Sequence, residues 1–194
     1  MRTASVVKVM MLVAYLRQGE VRDRELRESE RALLSPMIRR SDNTAASTIF
    51  SRLGREPIEE LADDAGMKHF AYSSPVWGRC RTSARDQARL MRRFERYIPR
   101  RHEDFARRQL NSVVKSQRWG VAEAKPKGWG LYFKGGWGRG IDGTDLQVDH
   151  QVAFLDRREQ RVSIVILIDS SPSQVYGNET LEGVARRLLR DLPR

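Results

Sequence analysis

The sequence predicts an α+β fold, an antiparallel sheet packed by helices beside a helical region, on three observations. The first two thirds of the chain carry apolar residues at helical spacing, the last third holds three runs of strand length, and an amphipathic stretch closes it. At 194 residues and 40% hydrophobic, the chain can fill the core of one domain spanning 1–194.

Residues 5–18 read as a helix that is apolar nearly all round, the kind that lies at a domain's centre, ended by Gly19. Residues 20–31 are dense in charge at helix-compatible spacing, and Leu33 and Leu34 begin another buried turn. Ser41, Asp42 and Asn43 precede a helical run at 44–50 and so sit at a helix N-terminus. Residues 57–65 form a short helix opened by Pro57 and closed by Gly66, and 71–81 read as loop. Helices follow at 85–97 and 103–115, parted by Pro99, so that 5–115 is mainly helical. The sheet region is 129–168, with strands at 129–134, 148–155 and 161–168 and a polar hairpin connection at 156–160. Residues 179–192 make the closing helix, with Leu181, Val184, Ala185, Leu188 and Leu189 on one face.

The net charge of +11 is spread along the whole chain rather than gathered in a block, so no nucleic-acid partner is expected; an anionic cell-wall polymer or lipid headgroups suit the basic surface better. The longest apolar stretch, 6–16, is interrupted by Lys8 and falls short of the about 20 residues that a membrane span needs. The single cysteine, Cys80, excludes an internal disulfide framework, and no Cys or His spacing calls for a metal or a cofactor. A monomer is expected.

Ser5 and Lys8 stand three apart at the start of the buried helix, on one face and within reach of each other. An ammonium in apolar surroundings needs a partner or a lowered pKa, and either prepares Lys8 to take the hydroxyl proton of Ser5. The bland alternative, a lysine that snorkels to water while Ser5 caps, is favoured for an isolated pair at this common spacing. Asp42 reads as structural, its carboxylate bonding local backbone.

The order of Ser5-Val6-Val7-Lys8, Ser41-Asp42-Asn43 and Lys134-Gly135-Gly136 resembles that of class A β-lactamases and penicillin-binding proteins. Residues 37–46, MIRRSDNTAA, are similar to that family's buried turn leading into its central helix, and the resemblance runs from Ser5 to the closing helix. It implies a β-lactamase/transpeptidase-like fold with the site between sheet and helical region. It also implies a serine acyl hydrolase that forms an acyl-enzyme on Ser5 with a peptidoglycan-like peptide, a β-lactam or a related small-molecule amide or ester. Lys8 would then be the base and Ser41 a proton relay to the leaving nitrogen. Asn43 would hold the substrate amide and Lys8, and Lys134 would supply positive potential. Gly136 and Trp137 would line the substrate, with the N–H groups of Ser5 and Trp137 as oxyanion donors. Lys134 is expected to end its strand before a Gly-rich turn.

Four departures qualify the resemblance. Gly135 stands where the family has Thr or Ser, whose hydroxyl helps grip a substrate carboxylate. Residues 72–81 hold no acidic residue, so the deacylation base is missing or different. The short interval from Lys8 to Ser41 implies a reduced helical lobe and a more open cleft. The family also places a helix, two strands and an export signal before the nucleophile. The chain is therefore expected to be the C-terminal portion of an exported, extracytoplasmic protein, with N-terminal strands missing and no export signal in this stretch. A true β-lactamase, or a catalytically silent ligand-binding homologue, stands as the alternative. Trp77, Trp119, Trp129 and Trp137 cluster around the motifs; Trp119 and Trp129 read as packing and Trp137 as a wall of the cleft, while residues 117–120 lend polar reach. His69, His102 and His150 have no partner spacing, and Cys80, though flanked by Arg79 and Arg81, has no base nearby.

Overall fold

The computed structural model describes residues 1–139 and 147–193. A 3-10 turn, Ala4–Val6, leads into helix α1, Val7–Leu16, every residue of which is buried. A helix apolar on all sides needs cover on all sides. Around α1 pack α3 (Glu28–Arg39), α4 (Asn43–Leu53) and α5 (Glu56–Asp64), with the short α2 (Gly19–Arg22) after its end. Gly19 thus opens α2 rather than closing the first helix, because extended backbone at Gln18, with ψ 136°, already separates the two. Ser5 lies in the 3-10 turn and not in the α-helix expected from residue 5.

The loop at 71–81 contains only a 3-10 turn, Trp77–Arg79. Helix α6 (Ala84–Arg92) is capped by the Ser83 hydroxyl and followed by a separate 3-10 turn, Phe94–Tyr97, so the helix expected over 85–97 is broken at Arg93. Helix α7 (Arg100–Asn111) and the short α8 (Val121–Ala124) lead to the sheet. Its strands are β1 (Gly130–Arg139), β2 (Gln147–Arg157) and β3 (Gln160–Ser171), antiparallel in the order β1-β2-β3, and α9 (Gln174–Leu189) follows.

This α+β arrangement puts the sheet between two cores. Successive strand residues face opposite sides. Val152 and Phe154 of β2 join the core built on α1, while Ala153 and Leu155 join Phe133, Ile164 and Ile166 against Leu181, Ala185 and Leu189 of α9. The same alternation sets the site, because Lys134 and Gly136 face the helical region and Gly135 faces the α8–α9 side.

β1 and the closing helix also depart from expectation. β1 does not stop at Lys134: β2 is long enough to pair with it as far as Arg139, opposite Gln147, so Lys134-Gly135-Gly136-Trp137 lies inside an edge strand. The closing helix starts at Gln174, where the Ser173 hydroxyl accepts from the N–H of Tyr176, and buries a narrow stripe at Gly177, Leu181, Ala185 and Leu189. That stripe follows the i, i+4 row, which leaves Val184 at 39% and Leu188 at 61% exposure instead of facing the sheet.

Candidate active site

The site forms where β1 runs against the turn that carries Ser5. A Cβ on Gly136 would stand 2.9 Å from the backbone nitrogens of both Ser5 and Val6 and 3.2 Å from the Thr3 carbonyl oxygen, so only glycine lets the strand come this close. This contact brings together the segments that hold the two expected oxyanion donors, Ser5 N–H and Trp137 N–H. Ser5 lines a cavity of about 420 Å³ together with Asn43, Ser47, Trp77, Arg79 and Trp137.

Between α3 and α4 the chain turns sharply, with Ser41 in the left-handed region at φ 57°. Asp42 caps α4 by accepting from the Ala45 N–H at 2.8 Å, as its place before the helix leads one to expect. The turn aims polar groups at Lys8, whose Nζ donates to the Ser41 carbonyl at 2.7 Å, Asn43 Oδ1 at 2.8 Å and Ser41 Oγ at 3.2 Å. From the sheet, Lys134 Nζ donates to the same Ser41 Oγ at 3.0 Å and to the Gly135 carbonyl at 2.6 Å. One hydroxyl therefore sits between two amines.

Both amines are held toward neutrality. Burial pushes Lys8 down to about 7, opposed by the nearby Asp42 carboxylate. Burial, and then the neighbouring Lys8, hold Lys134 well below the usual lysine range. The expected contact between Ser5 and Lys8 is replaced: every hydrogen bond of Lys8 Nζ among the described residues goes to the segment Ser41, Asp42 and Asn43, and Ser5 Oγ makes none to a described residue. A neutral amine has two N–H groups, which the two shortest acceptors, Ser41 O and Asn43 Oδ1, would occupy. Its lone pair is then left for a hydroxyl.

The structure separates the four tryptophans expected near the motifs. Trp77 comes to Lys8, its ring centre 4.6 Å from Nζ, and its Nε1–H donates to Ser47 Oγ at 3.2 Å. Trp119 is half-buried, packs against the core between sheet and α9 as expected, and also meets Trp137 edge to face at 5.6 Å, whereas Trp129 is fully packed. The polar reach expected of 117–120 is spent on backbone, since Gln117 donates to the Arg40 carbonyl and Arg118 to the Asn111 carbonyl. His150 is buried on β2 against the Arg2 carbonyl, His102 bonds the Val21 carbonyl, and burial raises the Cys80 thiol pKa. Among the described residues, no group of three or more His, Cys, Asp or Glu side chains could hold a metal ion. Nor is any helix of the described residues long and apolar enough to cross a membrane.

Comparison with known proteins identifies the family and the fold. The model of the beta-lactamase enzyme family matches residues 22–192, a span that starts after Ser5 and Lys8. No curated protein matches. Among solved structures, a beta-lactamase from Sphaerobacter thermophilus superposes with TM-score 0.79 at 17% identity, covering 100% of this chain and 85% of that one. A class A beta-lactamase from Mycobacterium abscessus gives 0.78 at 18%, with 98% and 84% covered. PBP-A gives 0.76 at 20%, with 97% and 80% covered. At such identities the likeness is one of fold, and it includes the N-terminal turn and α1 that the family model does not reach.

Proposed function

The chain belongs to the beta-lactamase enzyme family, and from that premise we propose that it is a serine acyl hydrolase of the penicillin-recognising type, forming an acyl-enzyme on Ser5. The supporting observation is the Ser41 hydroxyl held 3.2 Å from Lys8 Nζ and 3.0 Å from Lys134 Nζ, beside the cavity that Ser5 lines. In its neutral form Lys8 takes the proton of Ser5 as Oγ bonds to the carbonyl carbon of a peptidoglycan-like peptide, a β-lactam or a related amide or ester. The charge that develops on the carbonyl oxygen is met by the N–H groups of Ser5 and Trp137. As the bond to the leaving nitrogen or oxygen breaks, Ser41 gives that atom its proton and is reprotonated by the ammonium of Lys8. Lys134 keeps the Ser41 hydroxyl in line, and Asn43 anchors Lys8.

β-Lactam hydrolysis as the main activity is less well supported, because residues 71–81 offer no carboxylate to activate water. The test is intact-mass measurement after treatment with a fluorophosphonate and with a fluorescent penicillin. An adduct mapping to Ser5, absent in Ser5→Ala and strongly slowed in Lys8→Ala, is the expected result. Labelling of Ser5→Ala at the wild-type rate would remove Ser5 from its role.

A further inference from the structure

On the face of β1 away from Lys134, Gly135 lies in the angle between two indoles. A Cβ there would stand 3.1 Å and 3.3 Å from Cη2 and Cζ2 of Trp119 and 3.5 Å from Cζ3 of Trp137. The rings meet edge to face with centroids 5.6 Å apart and planes at 80°. Trp119 is clamped from below. Gln151, fully buried on β2 and paired with Gly135, donates from Nε2 to the Trp119 carbonyl at 2.7 Å and accepts at Oε1 from the Val121 N–H at 2.7 Å. Gly120, between them, has φ 64°, and a Cβ on it would fall 2.5 Å from Gln151 Oε1, so the clamp requires glycine there.

Both indoles are only half-buried, and Trp137 also lines the cavity that holds Ser5, which makes the pair continuous with the reaction cleft. The cations nearest the pair in the chain have other partners, Arg139 donating to the Pro172 carbonyl at 3.2 Å. Lys134 Nζ, 5.6 Å from the Trp137 ring centre, is committed to Ser41 Oγ and the Gly135 carbonyl. Arg118 lies over Phe133 and donates to the Asn111 carbonyl. The one charged residue lining the cavity among those described is Arg79, on the wall with Trp77.

We propose that the shelf of Trp119 and Trp137 over Gly135 is a substrate subsite for a neutral, flat apolar group such as an aryl or benzyl ring on the acyl donor, with Gln151 as its positioning residue. The inference rests on the acyl-enzyme reading and adds a substrate class to it. A carboxylate set here would lose water to the electron-rich faces of two rings and would find no side-chain hydroxyl at position 135. A ring in the same place keeps no charge from water and gains contact on both indoles.

Two thioester donors with the same acyl group test this, one leaving as a thiolactate with a free carboxylate, the other as its benzyl ester, with the Ser5 adduct followed by intact mass. Wild type is expected to react at least about tenfold faster with the benzyl ester, the size of effect one apolar group produces in a fitted pocket. Trp119→Leu and Gln151→Met are expected to bring the ratio near unity, chiefly through KM. Faster labelling by the free carboxylate, or a ratio unchanged in Trp119→Leu, overturns the subsite. A second arm needs no acylation: phenylacetamide is added to Ser5→Ala protein carrying ¹⁵N-labelled indoles. It should shift the Nε1–H signals of Trp119 and Trp137 but not that of Trp129, and acetate should shift neither. No shift with phenylacetamide, or an equal one with acetate, overturns the proposal even if Ser5 is acylated. The expected shifts with no acylation of the wild type would overturn only the acyl-enzyme reading.

Discussion

Lys8 Nζ lies 4.6 Å from the centre of the Trp77 indole, and that ring is tied to α4 by its bond to Ser47 Oγ. What the loop at 71–81 presents to the amine is therefore an aromatic ring and no carboxylate. Water reaching an ester on Ser5 would find no acidic side chain from this wall to take its proton. An acyl-enzyme formed with a penicillin is thus expected to persist, with the adduct still present by intact mass hours after mixing and nitrocefin not turned over catalytically. Rapid, repeated hydrolysis would show that another group activates water and would make β-lactam hydrolysis the better reading.

Acylation should follow the charge on Lys8. Burial lowers this ammonium to about 7 against the opposing field of Asp42, so the basic form is scarce below that pH and dominant above it. The rate should rise between about pH 6 and about pH 8 and then level off. Asp42→Asn removes the group that raises the Lys8 pKa, and Asn remains a good helix cap, so the midpoint should move down with the fold kept. A profile flat from about pH 6 to about pH 9, or a midpoint that rises in Asp42→Asn, would rule out Lys8 as the titrating base.

Much of this architecture is legible before any coordinates, because a run such as 7–16, apolar but for Lys8, calls for a central place, and 148–155 and 161–168 have the length and composition of strands. The order of the three polar clusters likewise points to one cleft. What periodicity cannot carry is contact across the chain. The bonds from Lys8 to Ser41 and Asn43 span more than thirty residues, and a lone glutamine in a strand gives no sign that Gln151 will clamp Trp119. In α9 the apolar residues outnumber the positions that the sheet can cover, so Val184 and Leu188 look equal to Leu181 in sequence and differ only in packing.

Two glycines should respond oppositely to alanine. In Gly136→Ala the new Cβ meets two backbone nitrogens at 2.9 Å, atoms that cannot swing aside, so β1 and the Ser5 turn must separate. Loss of about 1–3 kcal/mol in urea unfolding is expected, together with loss of fluorophosphonate labelling at Ser5. Gly183 lies on the exposed side of α9 with nothing within 4 Å of an added Cβ. Gly183→Ala should gain up to about 1 kcal/mol and label normally. Normal labelling in Gly136→Ala would mean that the strand and the turn are not in this close contact.

One buried carboxylate has no part in the proposed reaction. Asp149 on β2 is fully buried. Its Oδ1 accepts from Gln147 Nε2 at 3.1 Å, while Oδ2 has no partner among the described residues. It faces α9 at Gly177, where an added Cβ would fall 2.0 Å from Oδ2. Burial raises its pKa, and the side chains of Gln147 and Ser171 oppose this only in part. With the folded pKa above the unfolded value of about 3.9, the native state holds a proton that the unfolded chain has released. Stability is therefore lost as pH rises through that interval and stays lower at neutral pH. Asp149→Asn keeps the shape and cannot ionise. Thermal melts should show it a few degrees more stable than wild type at pH 7, the scale set by about 2–4 °C per kcal/mol for a chain of this size, with the advantage shrinking as pH falls toward about 4. A variant less stable at pH 7, or one whose advantage grows in acid, would show that the ionised carboxylate is stabilised in the fold.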